Sequence, residues 1–185
     1  MRRILPTLVL PFLMSAWAYA AQRPGAAQVL AAAKATAVAQ HKKIFLVFGA
    51  SWCTPCRDME AFMEDRTIRP ILEKYFVMAS LNVEEERGKH PELNSPGAEK
   101  LVADFGGESD GVPFIVFLDE QGQLLINSNR PSNRPSQGEP KGENIGYPAA
   151  PEEIDWFMQM LQRTLPSLTK SDGSTIETWL RRATH

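Results

Sequence analysis

Five consecutive apolar residues, Ile44 to Phe48, lead through Gly49 into the segment ASWCTPC, and the second cysteine opens a new apolar stripe at Cys56, Met59, Phe62 and Met63. A run without a polar face suits a strand covered on both sides. The stripe after it repeats at helical spacing, with Arg57, Asp58, Glu60 and Glu64 mostly on the other side. A strand buried on two faces needs two covering layers, and helices before and after it can supply them, so the expected class is α/β. Cys53 and Cys56, the only two cysteines in 185 residues, fall where strand becomes helix.

The rest of the chain extends this pattern. From Ala26 to His41, Val29, Leu30, Ala33, Ala37 and Val38 recur at helical spacing and predict a leading helix. Near EDRTIRP the helix after the cysteines should bend or restart, with Thr67 as cap, Pro70 in the first turn, and Ile68, Ile71, Leu72 and Tyr75 facing inward. Phe76 to Val83 reads as a second strand, Glu84 to Asn94 as a solvated loop, and Pro96 to Phe105 as a short helix burying Leu101, Val102 and Phe105. Two apolar runs, Phe114 to Leu118 and Gln123 to Ile126, flank a turn with Gly122 and predict an antiparallel hairpin. Asn127 to Ala150, rich in Pro, Ser, Asn and Gly, is expected to be a long loop, anchored if at all through Ile145 and Tyr147. Helical spacing returns from Glu152 to Leu165, and a short helix is expected from Ser174 to Arg182. No internal repeat or second core is visible.

The first twenty residues carry Arg2 and Arg3, an apolar run from Ile4 to Ala18, and the small-residue ending Ala18-Tyr19-Ala20. That is the build of an export signal cleaved after Ala20; the alternative, a membrane anchor, is weakened by Pro6 and Pro11. The expected organisation is a signal peptide at 1–20 and one domain at 21–185, with its core at about 26–165. Cleavage removes two of the 20 basic residues and none of the 22 acidic ones, so the formal charge of −2 becomes more negative. Without a basic run beyond pairs such as Lys42-Lys43, no nucleic-acid partner is expected, and no later segment suits a bilayer.

An exported chain could use its cysteines as a crosslink, as metal ligands or as a redox couple. A disulfide closing so short a loop restricts the unfolded chain little. Structural zinc wants four ligands, and none of His41, His90 and His185 stands at ligand spacing from the pair. Met59 and Met63 could suggest copper, but at helical spacing methionines are core filler. A thiol–disulfide site fits best. Cys53 at a helix start would sit among free backbone N–H groups that favour its thiolate, making it the exposed, attacking sulfur; Cys56, one turn on, would be shielded and resolve the mixed disulfide. Thr54 and Pro55 would set the stiffness of the loop between them, and neither a metal nor an organic cofactor is expected.

Together, FGASWCTPC after the first strand and GVPFIVFLDEQG at the hairpin make the chain resemble the thioredoxin superfamily over roughly residues 26 to 165, and within it the exported thioredoxin-like proteins. The resemblance implies a thioredoxin-like fold: a central mixed sheet flanked by helices, an N-terminal helix, a long loop before the last core helix, and a short C-terminal helical extension. It also implies a cis bond before Pro113, a substrate segment pairing with the backbone of Val112, and Trp52 as a flat wall beside the sulfurs. A proline before the second cysteine is similar to reducing thioredoxins, implying a reductase or isomerase of exported, cysteine-containing proteins, most naturally periplasmic, fed by a membrane electron donor. The alternative is a non-enzymatic binding protein or metal carrier on the same fold. The chain departs from thioredoxin at Val47, where a buried aspartate is usual, at Ser80, where a lysine often faces it, and at Gly49, where an aromatic is common. The proton acceptor for Cys56 is then water or one of Glu84, Glu85 and Glu86.

Overall fold

A computed structural model describes residues 24–107, 111–131 and 142–183. The signal-peptide reading of residues 1–20 lies outside them. Among the described residues there are six α-helices: α1 (Ala26–Gln40), α2 (Thr54–Glu64), α3 (Arg69–Tyr75), α4 (Ala98–Asp104), α5 (Pro151–Thr164) and α6 (Lys170–Ala183). The strands are β1 (Lys43–Gly49), β2 (Phe76–Asn82), β3 (Phe114–Leu118), β4 (Leu124–Asn127) and the two-residue β5 (Asn129–Arg130) and β6 (Glu143–Asn144).

The first four strands form one sheet in the order β2-β1-β3-β4. β1 runs parallel to β2, its Val47 opposite Ser80, and antiparallel to β3, which closes the expected hairpin with β4. The sheet is therefore mixed, as the resemblance implies. Alternation on the two inner strands divides the core. Phe45 and Val47 of β1 and Ile115 and Phe117 of β3 face one layer with Met59, Phe62, Leu72 and Phe157. Ile44, Leu46, Phe48, Phe114 and Val116 face the other, against Ala33 and Ala37 of α1 and Phe105. Two-sided cover explains why these strands have no polar alternation. Aromatic edge contacts fill the first layer, Phe45 against Phe117 at 4.9 Å and Phe62 against Phe157 at 5.8 Å between ring centres.

Four local expectations change. Val38 is 49% exposed, because the buried side of α1 is a strip of alanines that lets the helix lie close to the sheet. The turn before α3 is held by Asp65, not Thr67: Asp65 Oδ1 accepts the N–H groups of Thr67 (2.8 Å) and Ile68 (3.2 Å). Those backbone donors, the Thr67 N–H first, hold the Asp65 carboxyl below its ordinary value. Glu84 to Asn94 is not a wholly solvated loop but contains two 3₁₀ turns, Glu85–Gly88 and Pro91–Leu93, with Glu85 fully buried. Finally, α6 is longer than the expected Ser174–Arg182 helix and enters the core. Its Ile176 and Leu180 are buried, Trp179 packs on Phe62 at 5.2 Å, and Asp172 accepts hydrogen bonds from Lys74 Nζ (2.8 Å) and the Tyr75 hydroxyl (2.6 Å).

Candidate functional site

β1 ends at Gly49, and the chain turns through Ala50-Ser51-Trp52 to place Cys53 as the N-cap of α2. The N-cap position leaves backbone donors of the first turn free. One of them, the Cys56 N–H, is donated to Cys53 Sγ at 3.1 Å. Pro55 occupies that first turn, where a missing N–H costs nothing. Cys53 and Cys56 form a disulfide with Cα atoms 5.3 Å apart. The second cysteine lies against the strand end, where a Cβ on Gly49 would meet Cys56 Cβ and Sγ at 3.4 Å, an ordinary contact distance.

The cysteines are covered to almost the same degree, 3% exposed for Cys53 and 5% for Cys56. The expectation of an exposed first sulfur and a shielded second is thus not met in the disulfide form, because the Val112 side closes over Cys53. What separates them is electrostatic position: Cys53 Sγ receives the helix N–H, and it also stands 3.5 Å from the Val112 carbonyl oxygen. The Val112–Pro113 peptide bond is cis.

Trp52 does not belong to the core. It is 36% exposed, donates its indole N–H to the Glu84 carbonyl at 2.8 Å, and has the Arg87 guanidinium 5.6 Å from its ring centre. Gly88 lies beneath it, where a Cβ would come within 2.8 Å of the ring. Arg57 braces the same loop, donating to the Ser51 carbonyl (3.2 Å) and the Thr54 hydroxyl (2.9 Å).

Two residues have roles at the site that the sequence did not assign to them. The first is Glu85, whose carboxylate accepts the Ser51 N–H (2.8 Å), the Ser51 hydroxyl (2.6 Å) and the Asn82 amide (3.0 Å). It fastens the cysteine loop to the end of β2, and in the sequence it is one acid among three. The second is Glu60. A cavity of about 250 Å³ reaches Cys56 between α2 and the β1–β2 pair, lined by Val47, Ser51, Ser80 and Asn82. Among the described residues Glu60 is the one carboxylate in its lining, which includes none of Glu84, Glu85 and Glu86. Another cavity, about 350 Å³, lies beside Val112 with an apolar lining of Val83, Val102 and Phe114 and with Glu84 and Arg87 also in its wall.

The chain between Gly142 and Tyr147 completes the site. Gly146 approaches Pro113, Ile145 is buried in the first core layer, and Tyr147 packs against that layer. Burial, with Asp58 adding to it, pushes the Tyr147 hydroxyl above its ordinary pKa. Among the described residues no group of three or more His, Cys, Asp or Glu side chains could hold a metal ion, and no helix is long and apolar enough to cross a membrane.

A redox-capable cysteine pair at a helix start, facing a backbone carbonyl beside a cis-proline, can exchange thiols for disulfides. Comparison with known proteins places it. Solved structures similar to this chain include a disulphide isomerase from Xylella fastidiosa Temecula1, 19% identical, covering 97% of this chain and all of that one with a TM-score of 0.44. The C-terminal domain of DsbD from Neisseria meningitidis in its oxidised form is 19% identical, covering 75% of this chain and 98% of that one with a TM-score of 0.44. A thioredoxin from Thermus thermophilus is 21% identical over 56% of this chain and 71% of that one, with a TM-score of 0.39. No curated protein matches the chain. A family model described as thioredoxin-like matches residues 26–120, from the start of α1 into the hairpin turn and so across both cysteines and Pro113, which is just over half of the chain. The chain belongs to this thioredoxin-like family.

Proposed function

We propose that this chain is a thiol–disulfide oxidoreductase whose Cys53–Cys56 couple exchanges with cysteines of exported proteins in the reductase or isomerase direction. The observation that carries the reading is the placement of Cys53 Sγ, 3.1 Å from the first-turn N–H of Cys56 and 3.5 Å from the Val112 carbonyl. The N–H favours a thiolate, and the carbonyl marks where an extended substrate segment can pair.

In the reducing direction the Cys53 thiolate attacks one sulfur of a substrate disulfide. The substrate S–S bond breaks, a mixed disulfide forms, and the departing substrate thiolate takes a proton from solvent. Cys56, deprotonated on the side of the cavity that holds Glu60, then attacks Cys53 Sγ and forms the intramolecular disulfide. The second substrate thiol leaves, so two electrons have passed from the protein to the substrate. An outside dithiol, in this reading a membrane electron donor, restores the reduced pair by the same exchange. Isomerisation uses the first step and its reversal at another substrate cysteine. The cavity beside Val112 receives a side chain flanking the substrate cysteine. The segment at residues 1–20 supports a periplasmic location after export.

Cys56→Ser tests the assignment of roles. The variant should accumulate mixed disulfides through Cys53 that reductant releases, while Cys53→Ser should form none and lose turnover of a disulfide peptide. Adducts of equal yield on both variants, or on neither, would contradict the reading.

A further inference from the structure

We propose that Asn144 is the positioning residue that keeps the Val112 carbonyl aimed at the cysteines. The inference rests on the reading of Cys53–Cys56 as a thiol–disulfide couple and names what holds its substrate-pairing edge in place. Asn144 Nδ2 donates to two carbonyls, those of Gly111 at 3.1 Å and Pro113 at 3.0 Å. Its Oδ1 accepts the Ser128 hydroxyl at 2.7 Å and the Gly146 N–H at 3.1 Å. A side-chain amide has two N–H groups and two lone pairs, so four such bonds fix its rotation. The carbonyls on either side of Val112 are thus engaged by one side chain, and the carbonyl between them stands 3.5 Å from Cys53 Sγ.

The amide is itself anchored to the sheet. Ser128 is fully buried, its hydroxyl accepts the Ile115 N–H at 3.0 Å, and its own N–H goes to the Ile115 carbonyl at 2.8 Å. The Ser128 carbonyl accepts the Ile145 N–H at 3.1 Å, and Asn144 pairs with Asn129 across β5 and β6. A rigid strand end, Ile115 to Ser128, therefore sets Asn144, and Asn144 sets Gly111 and Pro113. An apolar residue of the same size could fill the space but could not orient two carbonyls.

The consequence is a split in kinetics. A peptide that pairs with Val112 needs the carbonyl in its place at binding, so losing the two donors weakens binding more than the exchange step. The test compares wild type, Asn144→Ala and Asn144→Asp on an unstructured peptide closed by one disulfide, with dithiothreitol as reductant. Asp keeps the size and the accepting oxygen but loses both donors. Both variants should raise KM about tenfold while kcat changes far less. A folded Asn144→Asp protein with wild-type KM, or with kcat and KM altered alike, overturns the proposal. Should both variants fail to fold, hydrogen exchange in the wild-type protein decides: the Asn144 side-chain NH2 should be protected, and rapid exchange overturns it. Wild-type protein inactive toward both this peptide and hydroxyethyl disulfide would reject the oxidoreductase reading and the proposal with it. An active wild type with unchanged variants rejects the role of Asn144 alone.

Discussion

Cys53 and Cys56 differ by where they sit on α2 rather than by how far they are buried. That distinction was legible in their spacing; the covering of Cys53 from the Val112 side was not, because it comes from residues 59 positions away. Glu85 shows the same limit more sharply. In EEER every position looks solvated, and only the fold reveals that one carboxylate is buried on the Ser51 N–H and hydroxyl and on Asn82. Its removal takes the acceptor away from the Ser51 N–H, the Ser51 hydroxyl and the Asn82 amide and empties a fully buried position. Glu85→Ala should therefore cost about 2–4 kcal/mol in chemical unfolding, and Glu85→Gln less, since an amide oxygen still accepts. A change below about 0.5 kcal/mol for the alanine variant would show that the cysteine loop does not depend on this anchor.

At the level of elements, β1, β3 and the hairpin were readable because burial on both faces leaves β1 and β3 as continuous apolar runs and because Asp119 to Gly122 forms a turn between β3 and the apolar but more exposed β4. The Asp119 side chain makes that turn, accepting the N–H groups of Gln121 (2.9 Å) and Gln123 (2.8 Å). Ends of helices were less readable. Thr67 and Asp65 could each hold the turn before α3, whose N-cap Ile68 has no side-chain cap, and geometry alone selects Asp65. The start of α6 was hidden by Ser-Asp-Gly-Ser, which resembles a turn; Thr169 Oγ1 accepts the Asp172 N–H at 3.1 Å and begins the helix there.

Asp172 also docks α6 on α3, and this contact titrates. Hydrogen bonds from Lys74 first and Tyr75 second lower its pKa to about 2 from an ordinary 3.8. A carboxyl depressed by folding stabilises the native state above its unfolded pKa and loses that contribution as pH falls toward its folded value. The gap in unfolding stability between wild type and Asp172→Asn should be full above about pH 5 and close between about pH 4 and pH 2. A gap that stays constant over that range would mean the carboxylate charge has no part in docking α6.

Across the whole molecule, the sequence shows a strand, a cysteine pair, a helix and a Val-Pro hairpin in an order that resembles one superfamily, and the matched family covers the cysteine motif and the Val-Pro motif as far as residue 120. The stretch from Asn127 to Ala150 resisted reading. Two-residue strands are too short to carry periodicity, and the bonds of Ser128 and Asn144 join positions far apart in sequence. Ile145 and Tyr147 do anchor the return of the chain, while residues 132–141 lie outside the described residues.

The central claim is that Cys53 and Cys56 form a working two-electron couple, and equilibration with glutathione redox buffers tests it most directly. The reduced fraction should follow a single reversible two-electron transition between about −270 and −180 mV, the span from thioredoxin to protein disulfide isomerase. A couple near about −120 mV, the value of a strong oxidant, would contradict the proposed direction of electron flow, and the absence of any reversible transition would contradict the function itself.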